Sequence, residues 1–475
     1  MASNPQDGFI AFNRFGHGAR GDGDLAAASG DPRGFLTAEL DQPGIALLDG
    51  PGLHPTPAAL QTLFADEDLK KAERERAAQV TDAAPAGSPG EAITAGGAPK
   101  PPPKPPSPEQ VAYRAEAAAR FQRAVLARVG LVERLVAFWS NHFCVSVAKS
   151  NLVRIDAGAF EREAIRPHVL GRFADMALAV ESHPAMLYFL DNQQSIGPNS
   201  PAGQRQKRGA NENLAREIME LHMLGVGGGY GQADVASLSR IITGWTVAGR
   251  DGRLGEPGAF AFNANAHEPG AQTLLGRTYA QDGLAQGRAA LLDLARAPAT
   301  AQHIATKFAR HFIADAPPAP LVERLAENFR RTDGDLKALT LSLIGAPEAF
   351  APPTKMRSPW EFLVAAARIA GRAPDDPGAF LGPLALLGQP LWSAPSPNGY
   401  SDAAAVWASP DGMKIRLDLA AQWAAKLRDP PDPHETLDAI AGPGASQETR
   451  QAIARAESRQ QGLALLLMSP EVQRR

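Results

Sequence analysis

A chain of 475 residues, 44% hydrophobic and 21% charged, can bury an extended core and fold as one large domain or two or three smaller ones. Its 48 Lys+Arg against 51 Asp+Glu leave a formal net charge of −3, which excludes the wholesale nucleic-acid binding of a strongly basic chain. The one cysteine, Cys144, excludes an intramolecular disulfide and any multi-cysteine metal site.

The first stretch, "MASNPQDGFIAFNRFGHGARG", lacks a basic region followed by an apolar run, so it does not read as a signal peptide. The expectation is a cytoplasmic protein, or one carried to the periplasm together with an exported partner. No window approaches the roughly 18 continuous apolar residues that a membrane span needs. Residues 1–82 read as short helices joined by Gly/Pro turns that pack on the main body. Residues 83–110, "AAPAGSPGEAITAGGAPKPPPKPPSPEQ", read as a Pro/Gly/Ala-rich flexible linker.

From 111 to 475 helical periodicity dominates, and this span is read as the main helical domain. "AYRAEAAARFQRAVLARVGLVERLVAFWSNHF" is one long helix or two, bent near Gly130. "GRFADMALAVESHPAMLYFLDN" is interrupted at His183-Pro184, and the pattern recurs in 233–247, 284–314, 320–344, 358–371, 411–428 and 447–470. Alternation around turn signals in 246–279 fits a short β-hairpin. The fold class is therefore mainly α, a large multi-helix domain with long loops and one short hairpin.

The stretch "NENLAREIMELHMLGVGGGYGQADV" carries the densest chemistry. Asn211 or Asn213 can cap a helix running from 212 to 224, with Gly225 as its C′ residue. Glu212, Arg216 and Glu220 recur at i, i+4 and i+8, so the arginine can bridge both carboxylates. Glu217 and Glu220 share a face, whereas a regular helix puts His222 about 140° from Glu217 and about 160° from Glu220. That spacing fails the Glu-x-x-His pairing used for metals in helical bundles. A divalent metal could still sit at Glu217 and Glu220 with His142 or His267 as a further ligand; the bland reading is a structural ladder of ion pairs. The "GVGGGYG" loop lacks the preceding strand and the Lys-Ser/Thr of a phosphate loop, and Asp234 would repel a phosphate, so it reads as a tight connection holding Tyr230.

Other polar groups stand where helical packing favours apolar ones. Asn141 and His142 lie in "ERLVAFWSNHFCVS", either as a satisfied core pair or as the lining of a pocket. Asp191 and Asn192 end one helix before a long loop carrying Arg205, Lys207 and Arg208, which suits an anionic ligand or simply solvent. His267 and Glu268 sit in a turn before Pro269-Gly270, a candidate for a ligand or base. In "AQHIATKFARHF", His303, Lys307 and His311 share a helical face and, with Arg310, read as a basic surface. Trp392, Asn398, Tyr400 and Trp407 punctuate a Pro/Gly-fixed loop that suits a binding wall or core packing.

Taken in order, "RLVAFWSNHF", "HPAMLYFLDN", "NENLAREIMELHMLGVGGGYGQADV" with "ITGWT", "AHEPGAQTLLG", "IATKFARHFIAD", "SPWEF" and "GQPLWSAPSPNGYSDAAAVW" resemble the bacterial domain-of-unknown-function 1800 family. The resemblance spans nearly the whole chain apart from the Pro-rich stretch. It implies a mostly helical protein and carries no established reaction. It also implies a partner, because genes of this family often sit beside those of sulfatase-like proteins that bear export signals.

Two readings follow. One is an enzyme with a polar pocket in which Glu217, Glu220, His142 and His267 are catalytic. Glu217, Glu220 and His142 would then hold a metal, and Asn141, Asp191, Asn192, Asn211, Arg216, Tyr230, Asn398 and Trp392 would bind ligand. The other is a non-enzymatic partner or maturation factor for the sulfatase-like neighbour, using the basic loop and the aromatic 392–407 loop.

Overall fold

The computed structural model describes residues 6–21, 23–82, 105–207 and 209–475, with the backbone alone at 80–82. Most of the Pro-rich stretch, and Arg208, lie outside these residues. Among the described residues there are twenty-four α-helices and only four strands of three residues each. The protein is mainly α.

Local chemistry explains where the helices break. The first long helical pattern resolves into two helices, Pro108–Leu126 and Leu131–His142, so helix begins at Pro108, inside the span expected to be linker. Between them Gly130 has φ +89°, and a Cβ there would meet the His17 ring at 3.0 Å. The freed N–H groups of Gly130 and Val132 are both accepted by the buried carboxylate of Glu39, at 3.2 and 2.9 Å. The next pattern divides at His183-Pro184, where the His183 ring caps the N–H of Ala185. A capping box of Ser358 and Glu361 opens the helix Pro359–Ile369.

The expected single hairpin is in fact two. Trp245–Val247 pairs antiparallel with Phe260–Phe262, and Gln272–Leu274 pairs with Arg277–Tyr279. Leu275 and Gly276, at φ +51° and +76°, close the second by the double left-handed turn that matches strand twist.

One contiguous apolar cluster runs from Phe9 to Val472. Phe12, Phe15, Leu36 and Leu60 of the N-terminal segment are buried in it, and Arg14 is anchored to the carbonyls of Ala349 and Ala351, both at 2.7 Å. Among the described residues three π-helical turns interrupt the helical order, at Ala11–Phe15, Glu161–Ile165 and Ile218–His222. Each buries one charged or titratable side chain, Arg14, Glu161 and His222 respectively. Such turns widen the backbone locally and re-aim side chains inward.

Candidate functional site

The C-terminal end of the helix Leu131–His142 and the loop around residues 389–402 form a cleft enclosing about 810 Å³, its open mouth included. Asn141 builds this loop. Its amide nitrogen donates to the Tyr400 carbonyl at 2.9 Å, and its amide oxygen accepts the Tyr400 N–H at 2.8 Å. The chain can come this close because Gly399 has φ +76°; a Cβ there would fall 2.3 Å from the Asn141 carbonyl oxygen. The polar tips of the aromatic wall are spent internally. Tyr400 donates to the Pro390 carbonyl at 2.6 Å, and Trp407 donates to the Ser401 carbonyl at 2.9 Å.

Trp392 is the unusual member of the wall. It is buried with φ +48°, a left-handed conformation that a bulky side chain seldom adopts. Its indole donates to Glu161 at 3.4 Å, and its carbonyl accepts the Val147 N–H at 2.8 Å. The Arg120 guanidinium lies 4.3 Å from the Trp360 ring and 5.6 Å from the Trp392 ring, while it also pairs with Glu161 at 2.8 Å. Strain held in place by so many contacts clusters at functional sites.

Charged groups meet at the cleft wall. His311 Nδ1 donates to Asp402 Oδ1 at 2.7 Å. Burial alone would raise the Asp402 carboxyl, but His311, Arg475 and Lys355 outweigh it and hold it down at about 2. Burial lowers the His311 imidazole to about 4, Asp402 opposing and Arg475 and Arg134 assisting. At neutral pH the pair is therefore a carboxylate and a neutral ring. Beside it Glu361 takes Arg134 at 3.1 Å and Arg475 at 2.8 Å, and these two cations overcome its burial and keep it well below the usual carboxylate range.

Cations outnumber anions here. Arg416 is held by Gln473 Oε1 at 2.8 Å and the Arg357 carbonyl at 2.7 Å, and Arg357 by the His17 carbonyl at 3.0 Å, so oxygens without formal charge solvate both. Burial and then the charge of Arg475 lower the Lys355 amine. Burial, with further repulsion from Arg475 and Arg357 against the attraction of Glu361, brings the Arg134 guanidinium to about 9. The interior behind the cleft is electropositive.

A second cluster adjoins the cleft through Lys307, whose lowered pKa reflects burial, opposed by Asp402 and Cys144. On the cleft side Cys144 is a thiol pushed up to about 12 by burial, donating to the Pro397 carbonyl at 3.3 Å. On the other side are His142, His222 and His303, with ring centres 6.3 Å apart for His142 and His222 and 6.1 Å for His142 and His303. His303 donates from Nε2 to the Leu221 carbonyl at 3.0 Å, and burial, with Lys307, lowers it to about 4. His222 Nδ1 donates to Glu181 Oε1 at 2.8 Å. The helical run Asn213–His222 stops with Met223 as its C-cap, two residues short of the expected end at 224. Gly225, at φ +82°, donates to the Met219 carbonyl at 3.1 Å, and a Cβ on it would strike His303 Nδ1 at 2.6 Å.

Several expectations change here. The π-turn Ile218–His222 closes i to i+5, so it brings His222 back toward Glu217 where a regular helix would turn it away. Burial raises the half-buried Glu217 carboxyl, and the His222 charge opposes that rise. Arg216 pairs with Glu212 at 3.0 Å and with Gln232 at 3.1 Å, and the π register carries Glu220 off the expected ladder. The face bearing His303, Lys307 and His311, expected to be a basic surface, is turned inward, with His311 buried and Lys307 half-buried.

Of the residues singled out in the sequence, Glu217, Glu220, Arg216 and Tyr230 come within electrostatic reach of one another, and burial raises the Tyr230 phenol. His142 donates to the His222 carbonyl at 3.0 Å, beside this group. His267 belongs elsewhere: it donates to the Thr243 carbonyl at 3.0 Å and packs on Phe262, while Glu268 accepts the Asn199 N–H at 2.9 Å. Asp191 pairs with Lys149 at 2.6 Å, and Asn192 donates to the Trp245 carbonyl at 3.0 Å. Asn211 caps Asn213 at 3.0 Å, and exposed Asn398 accepts from Ser396 at 2.5 Å. Among the described residues no three His, Cys, Asp or Glu side chains gather closely enough to hold a metal ion, so Glu217, Glu220 and His142 do not form a ligand set here. Asn141 and Trp392 do line the cleft. His311, Asp402, Glu361 and Arg475 were not foreseen. The available signal was Phe308 three residues before His311 and Phe312-Ile313 just after it, an apolar setting that suits a buried and therefore neutral histidine.

A mainly helical protein with a strained, aromatic-walled and electropositive cleft is thus in view. The chain belongs to the family described as "Protein of unknown function (DUF1800)", which matches residues 10–474. Comparison with characterised proteins and with solved structures gave no significant match. Among the described residues no helix is long and apolar enough to cross a membrane.

Proposed function

We propose that the protein is an enzyme that holds a small anionic substrate in this cleft and moves a proton at it through His311. The observation that carries this reading is the Asp402–His311 pair, 2.7 Å apart in the cleft wall beside Arg475. Asp402 fixes the tautomer: the proton stays on Nδ1, so Nε2 presents its lone pair. That lone pair accepts a long hydrogen bond from Arg134 Nη2 at 3.4 Å, which an anion drawing Arg134 to itself would release.

Burial first, with Arg475 and Arg134 assisting, keeps His311 too weak a base for neutral pH. A bound anion offsets the Arg475 and Arg134 share of that shift and raises the imidazole toward the range in which general bases work best. Substrate binding and base activation are then one electrostatic event. The strained Trp392 beside Arg120 supports the same location.

The test is an untargeted mass-spectrometric comparison of a metabolite extract incubated with the wild type, His311→Gln or Asp402→Asn, each shown to be folded by its melting curve. Anionic metabolites consumed by the wild type should persist with both variants. Identical consumption by all three would remove His311 from the chemistry.

A further inference from the structure

A second opening, which shares no lining residue with the cleft, has a different chemistry. The helices Pro359–Ile369, Gly378–Leu386, Pro410–Ala425 and Arg459–Met468 enclose a groove of about 1410 Å³, its open mouth included. Its walls are largely apolar, with Leu363, Ala366, Leu419, Trp423 and Leu467 among them, and Phe121 and Phe380, stacked at 4.1 Å, line it as well.

The outer wall, "GAFLGPLAL", holds no polar side chain and faces the groove with Gly378, Ala379, Gly382 and Pro383. These small residues leave space that larger ones would fill. Leu386 at its end is 65% exposed, an unusual position for a leucine unless something apolar covers it. The polar members of the lining, Arg372, Gln422 and Lys426, are all exposed, and no lining residue is acidic. The nearby Asp376 carboxylate is committed to Arg114 at 2.5 Å and to the Gly378 N–H at 3.0 Å.

We propose that this groove binds one monomeric long-chain carboxylate, with the acyl chain between the helices and the head group at Arg372 and Lys426. A peptide strand would need hydrogen-bond partners along its backbone, and the walls are helices whose amides are spent on their own turns. An acyl chain needs none, and its burial is favoured in proportion to the apolar area removed from water. Two cations and no acidic lining residue select an anionic head over a cationic one. The site is independent of the cleft and of His311.

The test uses the full-length protein and calorimetric titration below the critical micelle concentration. Dodecanoate and dodecyltrimethylammonium offer one chain with opposite heads. The wild type should bind dodecanoate saturably, one per chain, and at least about fivefold more tightly than the ammonium. The double variant Arg372→Glu/Lys426→Glu, altered only at exposed positions, should reverse that preference. Ala366→Trp, which fills the groove, should abolish binding of both; if it fails to fold, the charge reversal still decides. No saturable binding, or a preference unchanged by the reversal, overturns the proposal. So does a dimer in sedimentation that Leu386→Glu dissociates without any dodecanoate binding, since a second copy then covers the groove. Pelleting with phosphatidylglycerol vesicles but no binding of monomeric dodecanoate would likewise overturn it.

Discussion

His142 and His222 are joined through the main chain: His142 Nε2 donates to the His222 carbonyl at 3.0 Å, and His222 in turn donates from Nδ1 to the buried Glu181 carboxylate at 2.8 Å. This relay leaves His142 Nδ1, His222 Nε2 and Glu181 Oε2 buried without a protein partner. Removing Glu181 strands the His222 N–H as well. Glu181→Ala should cost about 3–5 kcal/mol, and Glu181→Gln, which keeps an acceptor oxygen, distinctly less. Urea titration measures both; equal losses would mean that the hydrogen bond to His222 does not matter.

Acid should destabilise the fold in a defined window. His311 and His303 are both lowered to about 4 in the folded protein, against an unfolded value near 6.5. Between those values the unfolded chain binds more protons, so stability is fully present above about pH 6.5 and is lost as pH falls toward about 4. Each histidine contributes a slope of up to about 1.4 kcal/mol per pH unit within the window. Melting temperature against pH from 4.5 to 7.5 reads this directly. His311→Gln should flatten the curve, and a wild-type curve flat across the window would refute the buried neutral ring.

The Asn141 clamp makes a prediction about backbone conformation. Gly399→Ala forces a Cβ onto the Asn141 carbonyl at a positive φ and should destabilise by at least about 2 kcal/mol. Asn141→Ala loses both hydrogen bonds to Tyr400 and should cost about 1–3 kcal/mol. Both variants should speed proteolytic cleavage within 390–403. Cleavage elsewhere first would show that this clamp does not limit the opening of the loop.

Trp392 separates packing from strain. Truncation to Ala or Gly removes the same ring from the Arg120 and Tyr113 contacts, but only glycine accepts φ +48° without penalty. Trp392→Gly should therefore be more stable than Trp392→Ala by about 1 kcal/mol, the reverse of the usual order. Denaturant midpoints of the two variants decide it.

Cys144 should be inert while the protein is folded. Its thiol is buried and pushed up to about 12, so little thiolate forms at pH 8. Ellman's reagent should react with it only after denaturation. Rapid reaction in native buffer would require the cleft to open far more than its geometry shows.

The sequence alone carried the helical class, a helix stop within a few residues of Gly225 and the break at His183-Pro184, because periodicity, capping and proline act over a few residues. It also directed attention to Asn141, His142, Glu217 and Trp392, all of which lie in or beside the two polar clusters. What those residues do was decided by tertiary structure. Asn141 clamps a loop that starts some 250 residues later, which spacing cannot reveal. His222 faces Glu217 because a π-turn replaced the assumed α register, and local propensity carries little sign of such a turn. The pairing of His311 with Asp402, and of Glu361 with Arg134 and Arg475, depends on which helix faces inward. Two histidines and a lysine on one face read as a solvated surface until packing turns them inward, and only burial turns that charge into a field.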